Sequence, residues 1–350
     1  MMGISVIICC YNSVRRIQKT LEALLKQECI SKISWEVIIV DNNSTDNTSA
    51  IASAIWVNSG TRIPLNIIEE PIPGLGNARR AGVSVANHPI LIFCDDDNWL
   101  APNYVQRVYE LMHADNSIAA CGGMGIPVFE TEEPYWFYMY AEAFALGPQD
   151  VNSETEGIFD LYGAGIAVQK EAIQTFYQSG YEPLLSGRVG KSLSSSEDTE
   201  LTNAFVLMGY KLIFSEDLKF FHYLPKDRLT FSYLQQLFIA FGTDGPVRNL
   251  YYANLSKRFF HNRVKSWSFH LLLSLVRLVK YLLYPPKKYG RTVYFNWGMA
   301  YIKQLFVIRK DYRKLNERIA SLKHIGNNIS GKTIQAVRSL SVENKNGGIF

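Results

Sequence analysis

The sequence predicts an α/β fold in which a mostly parallel sheet is covered by helices on both faces. Short apolar runs rich in β-branched residues alternate with segments whose apolar residues recur at helical spacing. Polar clusters follow several of these runs directly, and such an alternation builds parallel strands joined by crossover helices. The chain has 350 residues, of which 47% are hydrophobic, so it is long enough to bury a sizeable core.

Each element in the first third has its own signal. A short continuous apolar run indicates a buried strand, and a 3.6-residue apolar period indicates a helix. The predicted strands are 5–10, 35–40, 65–69 and 90–94. The predicted helices are 14–27, one that begins at Asp46 or Asn47 and runs to Trp56, 77–86, and 102–113 with proline at its first position.

The pattern is less regular after Ile118. Strands are predicted at 161–168, 212–215 and 218–223, and a helix at 198–208. After Pro225 the sequence becomes helical, basic and aromatic. We therefore expect three units, which are residues 1–115, 116–225 and 226–350.

Charge divides the chain in two. Residues 1–225 contain 14 Lys and Arg against 27 Asp and Glu, whereas residues 226–350 contain 22 against 5. The basic third includes the amphipathic segments 265–284 and 293–315, whose uncharged stretches are too short to span a bilayer. They fit helices lying in the interface of an anionic membrane, with Lys287 and Lys288 near head groups. The alternative is a helical subdomain packed on the rest of the chain, and no nucleic-acid-binding motif accompanies the charge.

Three consecutive aspartates, Asp95, Asp96 and Asp97, follow the fourth predicted strand. Like charges this close repel one another unless a cation lies among them. Asp95 and Asp97 share a side in extended backbone, so both can face one metal ion. Carboxylate oxygens suit Mg²⁺ or Mn²⁺, which complete their shells with phosphate oxygens and water. The alternative is a solvated acidic turn that caps the next helix.

Other metal and phosphate motifs are incomplete. The first strand-to-helix turn lacks glycine, and Arg79 stands where a dinucleotide-binding loop would have its third glycine. The P-loop lysine motif is absent, and the segment 41–46 lacks the glycine of a calcium loop. The five cysteines form no CxxC pair, which indicates buried thiols.

Four segments in order resemble the family 2 glycosyltransferases, which have the GT-A fold and are mostly inverting. They are SVIICCYN (residues 5–12), VDNNSTDNT (40–48), GNAR (76–79) and DDD (95–97). One such motif alone is weak, and four at the expected spacing are specific. The resemblance covers residues 4–225 and implies a GT-A domain with a C-terminal helical extension. Residues 1–115 would be its nucleotide-sugar-binding half and 116–225 its acceptor-binding half.

The resemblance implies nucleotide contacts for four early positions. Tyr11, Asn12 and Asp41 would bind the nucleotide, with Asp41 accepting a hydrogen bond from a ring N–H of the base. Arg79 would meet the base or the diphosphate, for which a guanidinium is well shaped. Its alternative role is a surface arginine on a helix.

The resemblance also implies a metal site. Asp95 and Asp97 would hold Mn²⁺ or Mg²⁺ on the diphosphate, and Asp95 and Asp96 would contact the nucleotide. His222 stands where some relatives have a third metal ligand. A lone histidine is otherwise a structural residue.

The acceptor side is implied by the later segment SSSEDTEL (194–201). Asp198 would be the general base that removes the proton of the acceptor hydroxyl; its alternative role is ordinary capping of a helix. Small residues on a strand would let a sugar approach the backbone. The acceptor-binding residues expected are Gly163, Ala164, Gly165, Glu197 and Trp99.

The resemblance therefore implies an inverting, metal-dependent transferase that moves a sugar from a nucleotide diphosphate, with UDP favoured, to an acceptor hydroxyl. The segment 226–230 resembles bacterial relatives that build surface polysaccharides, which implies a lipid-linked glycan acceptor and a peripheral location on the inner face of the cell membrane. The alternatives are a nucleotidyltransferase or other metal-dependent phosphate-transfer enzyme, and an inactive membrane scaffold.

Overall fold

The computed structural model describes residues 3–29, 33–149, 160–185, 187–188, 193–194, 196–256, 263–287 and 290–325. Within these residues, eight strands form one sheet: β1 (Gly3–Cys10), β2 (Ser34–Asp41), β3 (Leu65–Glu69), β4 (Ile90–Asp95), β5 (Asn98–Leu100), β6 (Ile118–Phe129), β7 (Ala167–Gln169) and β8 (Lys211–Leu224). Their order across the sheet is β3-β2-β1-β4-β7-β6-β8-β5.

The helices alternate with the strands in the first half and dominate the end of the chain. They are α1 (Ile17–Leu25), α2 (Thr48–Asn58), α3 (Leu75–Val85), α4 (Tyr104–Ala114), α5 (Lys170–Gln178), α6 (Glu197–Leu207), α7 (Phe231–Leu255), α8 (Trp267–Leu283), α9 (Arg291–Val307) and α10 (312–325). There are also two 3₁₀ turns: Phe137–Phe144 follows β6 in the chain, and Lys226–Leu229 follows β8.

The sheet separates two apolar cores, as the sequence predicts. Side chains alternate along β1, so that Val6 and Ile8 join one core and Ile7 joins the other. Helices α1, α2 and α4 cover the first side, whereas α3, α5 and α6 cover the second. The predicted α/β class, with helices on both faces, is therefore confirmed.

The parallel part of the sheet is the part that the sequence predicts well. Strands β3, β2, β1 and β4 are parallel neighbours, so their carboxyl ends meet at one edge. Beyond β4, strand β7 runs antiparallel to both β4 and β6, while β6 and β8 are parallel. Loops after β1, β2 and β4 consequently face one common cleft.

Four predicted elements need correction. Of the predicted strand 161–168, only residues 167 and 168 lie in a strand, β7, because Gly165 has φ +69° and breaks the extended backbone before it. The strands predicted at 212–215 and 218–223 are one strand, β8. Pro102 precedes α4 rather than beginning it, since Asn103 is the N-cap. Strand β6 is absent from the prediction because its glycines hide the apolar pattern.

The C-terminal helices pack on the second core through their inner faces. Tyr301, Leu305 and Tyr312 are buried there together with Leu250 of α7. This agrees with the alternative of a packed helical subdomain. Outer faces of α8 and α9 remain exposed and apolar. In the part of the chain that the structure describes, we find no helix with the length and hydropathy needed to span a bilayer.

Candidate active site

A cavity of about 960 Å³ lies at the carboxyl ends of β1, β2 and β4. Its floor is formed by the turns that follow these strands, and α3, α6 and α7 supply its walls. Parallel sheets of this kind bind ligands at this edge. Its charged lining residues are Arg16, Arg79, Asp95, Asp96, Asp97, Glu142, Asp160, Arg188, Glu197, Asp198, Arg228 and Arg248.

The three carboxylates of the acidic turn have different partners, and Asp96 is the one directed toward α1. Arg16 Nη2 donates to Asp96 Oδ2 at 2.6 Å, and Ser13 Oγ donates to the same oxygen. Thr20 Oγ1 also donates to the carbonyl oxygen of Asp96 at 2.8 Å. These contacts fix the turn to α1 and leave Asp96 committed to protein partners.

Asp97 is held from the opposite side by one residue of β8 and one residue of the 3₁₀ turn after it. Arg228 Nη1 donates to Asp97 Oδ2 at 2.9 Å, and His222 Nε2 lies 3.7 Å from Oδ1. Burial alone would raise the pKa of Asp97, but the positive charges around it, first that of Arg228, outweigh burial and lower it. Asp97 is therefore ionised at neutral pH.

Asp95 faces the cavity with the fewest contacts of the three. Asn98 Nδ2 donates to its Oδ2 at 3.2 Å. Burial, followed by the charge of Asp97, raises the pKa of Asp95 to about 6, although Arg79 opposes the shift. A cation between Asp95 and Asp97 would offset both burial and the repulsion from Asp97, and so would stabilise the ionised form of Asp95.

The donor set at the turn fits a divalent cation. Phe144 O lies 2.9 Å from His222 Nδ1, so Nδ1 carries the proton and Nε2 is the acceptor, which lies 3.4 Å from Arg228 Nη1 and 3.7 Å from Asp97 Oδ1. Burial lowers the pKa of His222 and favours this neutral form. Carboxylate oxygens of Asp95 and Asp97 with an imidazole nitrogen suit Mn²⁺ or Mg²⁺. Within the described residues, however, no three acidic, histidine or cysteine side chains are already grouped as a metal site.

The opposite wall is built by the first turn of α6. Asp198 Oδ2 accepts from the backbone N–H of Gly163 at 2.7 Å, and Oδ1 accepts from its neighbour Thr199 at 2.7 Å. Arg79 lies between this wall and the acidic turn, with Nη1 3.5 Å from Glu197 Oε1 and its guanidinium over the ring of Phe93. Burial raises the pKa of Asp198, and the charge of Arg79 opposes that shift.

Most of the predicted residues meet at this cavity. Tyr11 lines it with 54% of its surface exposed, and Glu197 Oε2 is a buried oxygen without a hydrogen-bond partner in the described part of the chain. The other predicted residues on the wall are Arg79, Asp95, Asp96, Asp97, Gly163, Ala164, Asp198 and His222.

Four predicted residues lie off the cavity wall. Asn12 accepts from the backbone N–H of Thr45, and Asp41 accepts from Ser44 N at 2.9 Å and from Ser49 Oγ, so both shape the turns behind the wall. Gly165 receives a hydrogen bond from Tyr104 Oη. Trp99 stacks on Tyr223 at 6.0 Å.

Sequence reasoning did not assign several residues that the structure brings to the cavity. Arg16 and Arg228 neutralise two of the three aspartates, and Arg228 lies in the segment 226–230 that resembles bacterial relatives. Arg188 and Arg248 also line the cavity. The signal that could have found Arg248 is its place on one stripe of α7 with aromatic residues, which is recognisable only once the inward face of that helix is known.

Comparison with known proteins finds a family model that matches the first part of the chain. The model of Glycosyl transferase family 2 matches residues 5–176. Glycosyltransferase GlyG of Streptococcus pneumoniae is 25% identical over 143 residues, covering 41% of this chain and 46% of that protein. Succinoglycan biosynthesis protein ExoO of Rhizobium meliloti is 28% identical over 123 residues, covering 35% and 33%. The matched segment thus spans less than half the length of these relatives.

Two solved structures share the fold over most of the chain. A mannosyltransferase from Pyrobaculum calidifontis, in complex with GDP-Man and Mn²⁺, has a TM-score of 0.56 at 18% identity, covering 87% of both chains. S. aureus TarS 1–349 in complex with UDP-GlcNAc has a TM-score of 0.52 at 14% identity, covering 92% of this chain and 91% of that one. The GT-A fold predicted from the sequence is confirmed. The match to the family model shows that residues 5–176 are a glycosyl transferase family 2 domain.

Proposed function

We propose that the protein is an inverting glycosyltransferase that moves a sugar from a nucleotide diphosphate to an acceptor hydroxyl, in the biosynthesis of a cell-surface polysaccharide. One observation carries the proposal: the acidic turn and Asp198 face the same cavity from opposite walls, with Arg79 between them. A diphosphate needs cations on one side, and a hydroxyl nucleophile needs a base on the other. The family match favours this activity over nucleotidyl transfer.

In the proposed reaction Asp198 takes the proton of the acceptor hydroxyl. The hydroxyl oxygen forms a bond to the anomeric carbon while the bond from that carbon to the diphosphate oxygen breaks on the opposite face, so one displacement inverts the configuration. Two backbone N–H groups orient the Asp198 carboxylate. Arg79 would interact with the negative charge of the departing diphosphate.

Asp95, Asp97 and His222 would hold the Mn²⁺ or Mg²⁺ that we propose as cofactor. When bound, the ion supplies positive charge to the diphosphate. Arg228 already balances Asp97, and Arg16 already balances Asp96, so the turn does not depend on the ion to remain folded. Tyr11, Asn12 and Asp41 remain the residues proposed for the nucleotide, with Asn12 and Asp41 acting through the turns that they order.

We propose a UDP-sugar as donor, as the sequence resemblance implies; S. aureus TarS 1–349 is in complex with UDP-GlcNAc, whereas the mannosyltransferase from Pyrobaculum calidifontis is in complex with GDP-Man. A panel of UDP-, GDP- and TDP-sugars with Mn²⁺, scored by protection from thermal unfolding, tests this choice. Product analysis separates the alternatives, since a glycosyltransferase releases a nucleoside diphosphate and a nucleotidyltransferase releases pyrophosphate.

Asp198→Asn tests the proposed base. The variant should bind the donor as the wild-type protein does and lose transfer by about 10²–10⁴-fold, because the amide cannot accept the proton. Transfer at a near wild-type rate would remove Asp198 from the mechanism.

The outer faces of α8 and α9 support a location on the inner face of the cell membrane and a lipid-linked glycan acceptor. Large apolar side chains lie exposed in a stripe along each helix: Leu272, Leu275, Val276, Val279 and Leu283 on α8, and Phe295, Met299 and Phe306 on α9. Exposed basic residues lie on the same helices, namely Arg277, Lys280, Arg291 and Lys303. Such surfaces bind anionic lipid interfaces.

The loop between these helices carries the two lysines that the sequence assigns to head groups. Lys287 pairs with Glu142 of the cavity at 2.6 Å, which brings this loop to the mouth of the cavity. Lys288 lies outside the described residues. A lipid-linked acceptor held by the same helices would thus lie close to the cavity.

Vesicle flotation tests the membrane proposal. Val279→Glu should reduce binding to vesicles that contain phosphatidylglycerol, because it places a charge in the apolar stripe and repels anionic lipid. Val57→Glu is a matched control, since Val57 is an exposed apolar residue on α2. Equal binding by the two variants would contradict the proposed orientation.

A further inference from the structure

Helix α7 lies along the cavity, and one stripe of it forms part of the cavity wall. Tyr233, Leu237, Phe241 and Arg248 line the cavity at spacings of four, four and seven residues, which places them on one face of the helix. They extend over about 22 Å of helix. Along the helix, the aromatic and apolar residues of this stripe come first, and the cationic Arg248 comes last.

Arg248 lies at the Asp198 end of the cavity. It is close to Asp160, which begins the segment leading to Gly163, and Gly163 donates to the carboxylate of Asp198. The charge of Arg248 is among those that oppose the effect of burial on the pKa of Asp198. An acceptor whose hydroxyl meets Asp198 therefore has Arg248 beside it.

Arg248 differs from other cavity arginines in its hydrogen bonds. Arg16, Arg79 and Arg228 each lie within 3.5 Å of a carboxylate oxygen. Arg248 Nη2 instead lies 3.9 Å from Asp160 Oδ2, which is beyond hydrogen-bond distance. Its Nε is buried and has no hydrogen-bond partner among the residues that the structure describes.

Asp160 is poorly placed to accept a hydrogen bond from Arg248 Nε, because both of its carboxylate oxygens already accept from other donors. Asn203 Nδ2 donates to Asp160 Oδ1 at 2.6 Å, and Tyr252 Oη donates to Oδ2. Arg248 Nη2 donates to Tyr252 Oη at 3.0 Å, so that one of its nitrogens meets a neutral oxygen. Nε itself is enclosed by protein, but 28% of the Arg248 side chain is exposed, and the residue lines the cavity. Among the described residues, its only close carboxylate is thus an Asp160 that already has other donors, and an anionic oxygen is the partner that a guanidinium binds most strongly.

We propose that Arg248 binds an anionic group of the acceptor, a carboxylate or a phosphate, close to the hydroxyl that receives the sugar. The proposal deepens the proposed transferase function and rests on it. The apolar stripe of Leu237 and Phe241 would contact the C–H face of the same acceptor unit. The acceptor would thus be an acidic sugar or a phosphorylated unit rather than a neutral glycan.

The experiment compares matched soluble probes on the full-length protein in the presence of UDP and Mg²⁺, which is diamagnetic and does not broaden the signals of anionic probes. Methyl glucuronide is paired with methyl glucoside, and glycerol 1-phosphate with glycerol, and each dissociation constant is measured by ligand-observed NMR. One anionic probe should bind about 10- to 100-fold more tightly than its neutral partner, because a charge-assisted pair is gained. The pair that shows the difference identifies carboxylate or phosphate as the group.

Variants connect the preference to the residue. Arg248→Gln should abolish the difference between anionic and neutral probes, and Arg248→Lys should keep part of it because the charge remains while the planar donor fork is lost. Arg313→Gln is the control, since Arg313 has 92% of its side chain exposed on α10. The absence of any preference in the wild-type protein, or its survival in Arg248→Gln, overturns the proposal. Donor binding is measured separately, so a failure of the transferase proposal shows as loss of nucleotide-sugar binding and not as loss of anion preference.

Discussion

Replacing Gly163 with alanine should slow catalysis while the protein remains folded, because the added methyl group would enter the space between Arg79 and Asp198. A Cβ atom at this position would lie 2.8 Å from Arg79 Nη2 and 3.0 Å from Asp198 Oδ2. Ordinary contact distances are longer by about half an ångström. Neither neighbour can move freely, since Gly163 N–H itself holds Asp198 and Glu197 and Phe93 hold Arg79.

We therefore expect the substitution to displace the proposed base, Asp198, while its carboxylate remains present. Displacements on the scale of an ångström reduce turnover by about 10²-fold, which corresponds to about 2.7 kcal/mol in the activation barrier. Single-turnover transfer measures the rate, and calorimetry with the nucleotide sugar measures donor binding. We expect the rate at saturating donor to fall on the order of 10²-fold, and any loss of donor affinity measures how far Arg79, which the added methyl group also contacts, has moved.

Gly180→Ala provides the matched control. Gly180 has φ +73° and nothing within 4 Å of an added Cβ, so its cost is backbone strain away from the cavity. We expect it to lose about 1–2 kcal/mol of unfolding free energy with transfer unchanged. Should Gly163→Ala transfer sugar within about twofold of the wild-type rate, the close approach between Gly163 and Asp198 would have no catalytic role.

Two further predictions concern the pH dependence of stability. Burial lowers the pKa of His270 from 6.5 to about 3, so between these pH values the unfolded chain binds a proton that the folded chain does not. The free energy of unfolding therefore falls as pH drops below about 6.5. His270→Gln should reduce this pH dependence, which urea titrations at pH 4 to 7 measure. Burial raises the pKa of Glu200 from 4.5 to about 7, so its contribution falls as pH rises through that interval. Glu200→Gln should therefore be more resistant to urea than the wild-type protein at pH 8, and equal or lower resistance would show that its bonds to Leu184 and Tyr251 outweigh the cost of ionisation.

The sequence predicts the parts of the site that depend on strand ends. Asp95 and Asp97 follow a short, continuous apolar run, and this pattern places them at the carboxyl edge of a parallel sheet. The position of Asp198 opposite the turn is harder to predict, because it depends on β6, which the sequence pattern does not reveal, and on the order in which β7, β6 and β8 extend the sheet beyond β4. Gly123 in β6 shows why: an added Cβ would overlap the carbonyl oxygen of Leu218, so close strand packing demands a residue that carries no apolar signal.

Trp99 and Arg248 show two opposite limits of reasoning from sequence. Trp99 follows the acidic turn by two residues, so proximity in sequence favours a role at the site. Strand β5 instead pairs with β8 and turns Trp99 against Tyr223 on another surface. Arg248 belongs to none of the motifs, and only the tertiary packing of α7 brings it to the cavity beside Asp198.

The charges of the cavity explain why its three aspartates can lie together before any substrate binds. Asp96 is balanced by Arg16 and Asp97 by Arg228, so their repulsion is met by cations from α1 and from the turn after β8. Asp95 has no such ion pair among the described residues, and burial, followed by the charge of Asp97, raises its pKa. The unbalanced charge thus lies on the one carboxylate that faces the cavity openly, where a cation arriving with a diphosphate gains the most from it. Related reasoning applies with opposite sign to Arg248 at the other end, whose pairing with Asp160 at 3.9 Å is longer than the ion pairs of Arg16 and Arg228 and leaves its charge available to an anionic acceptor.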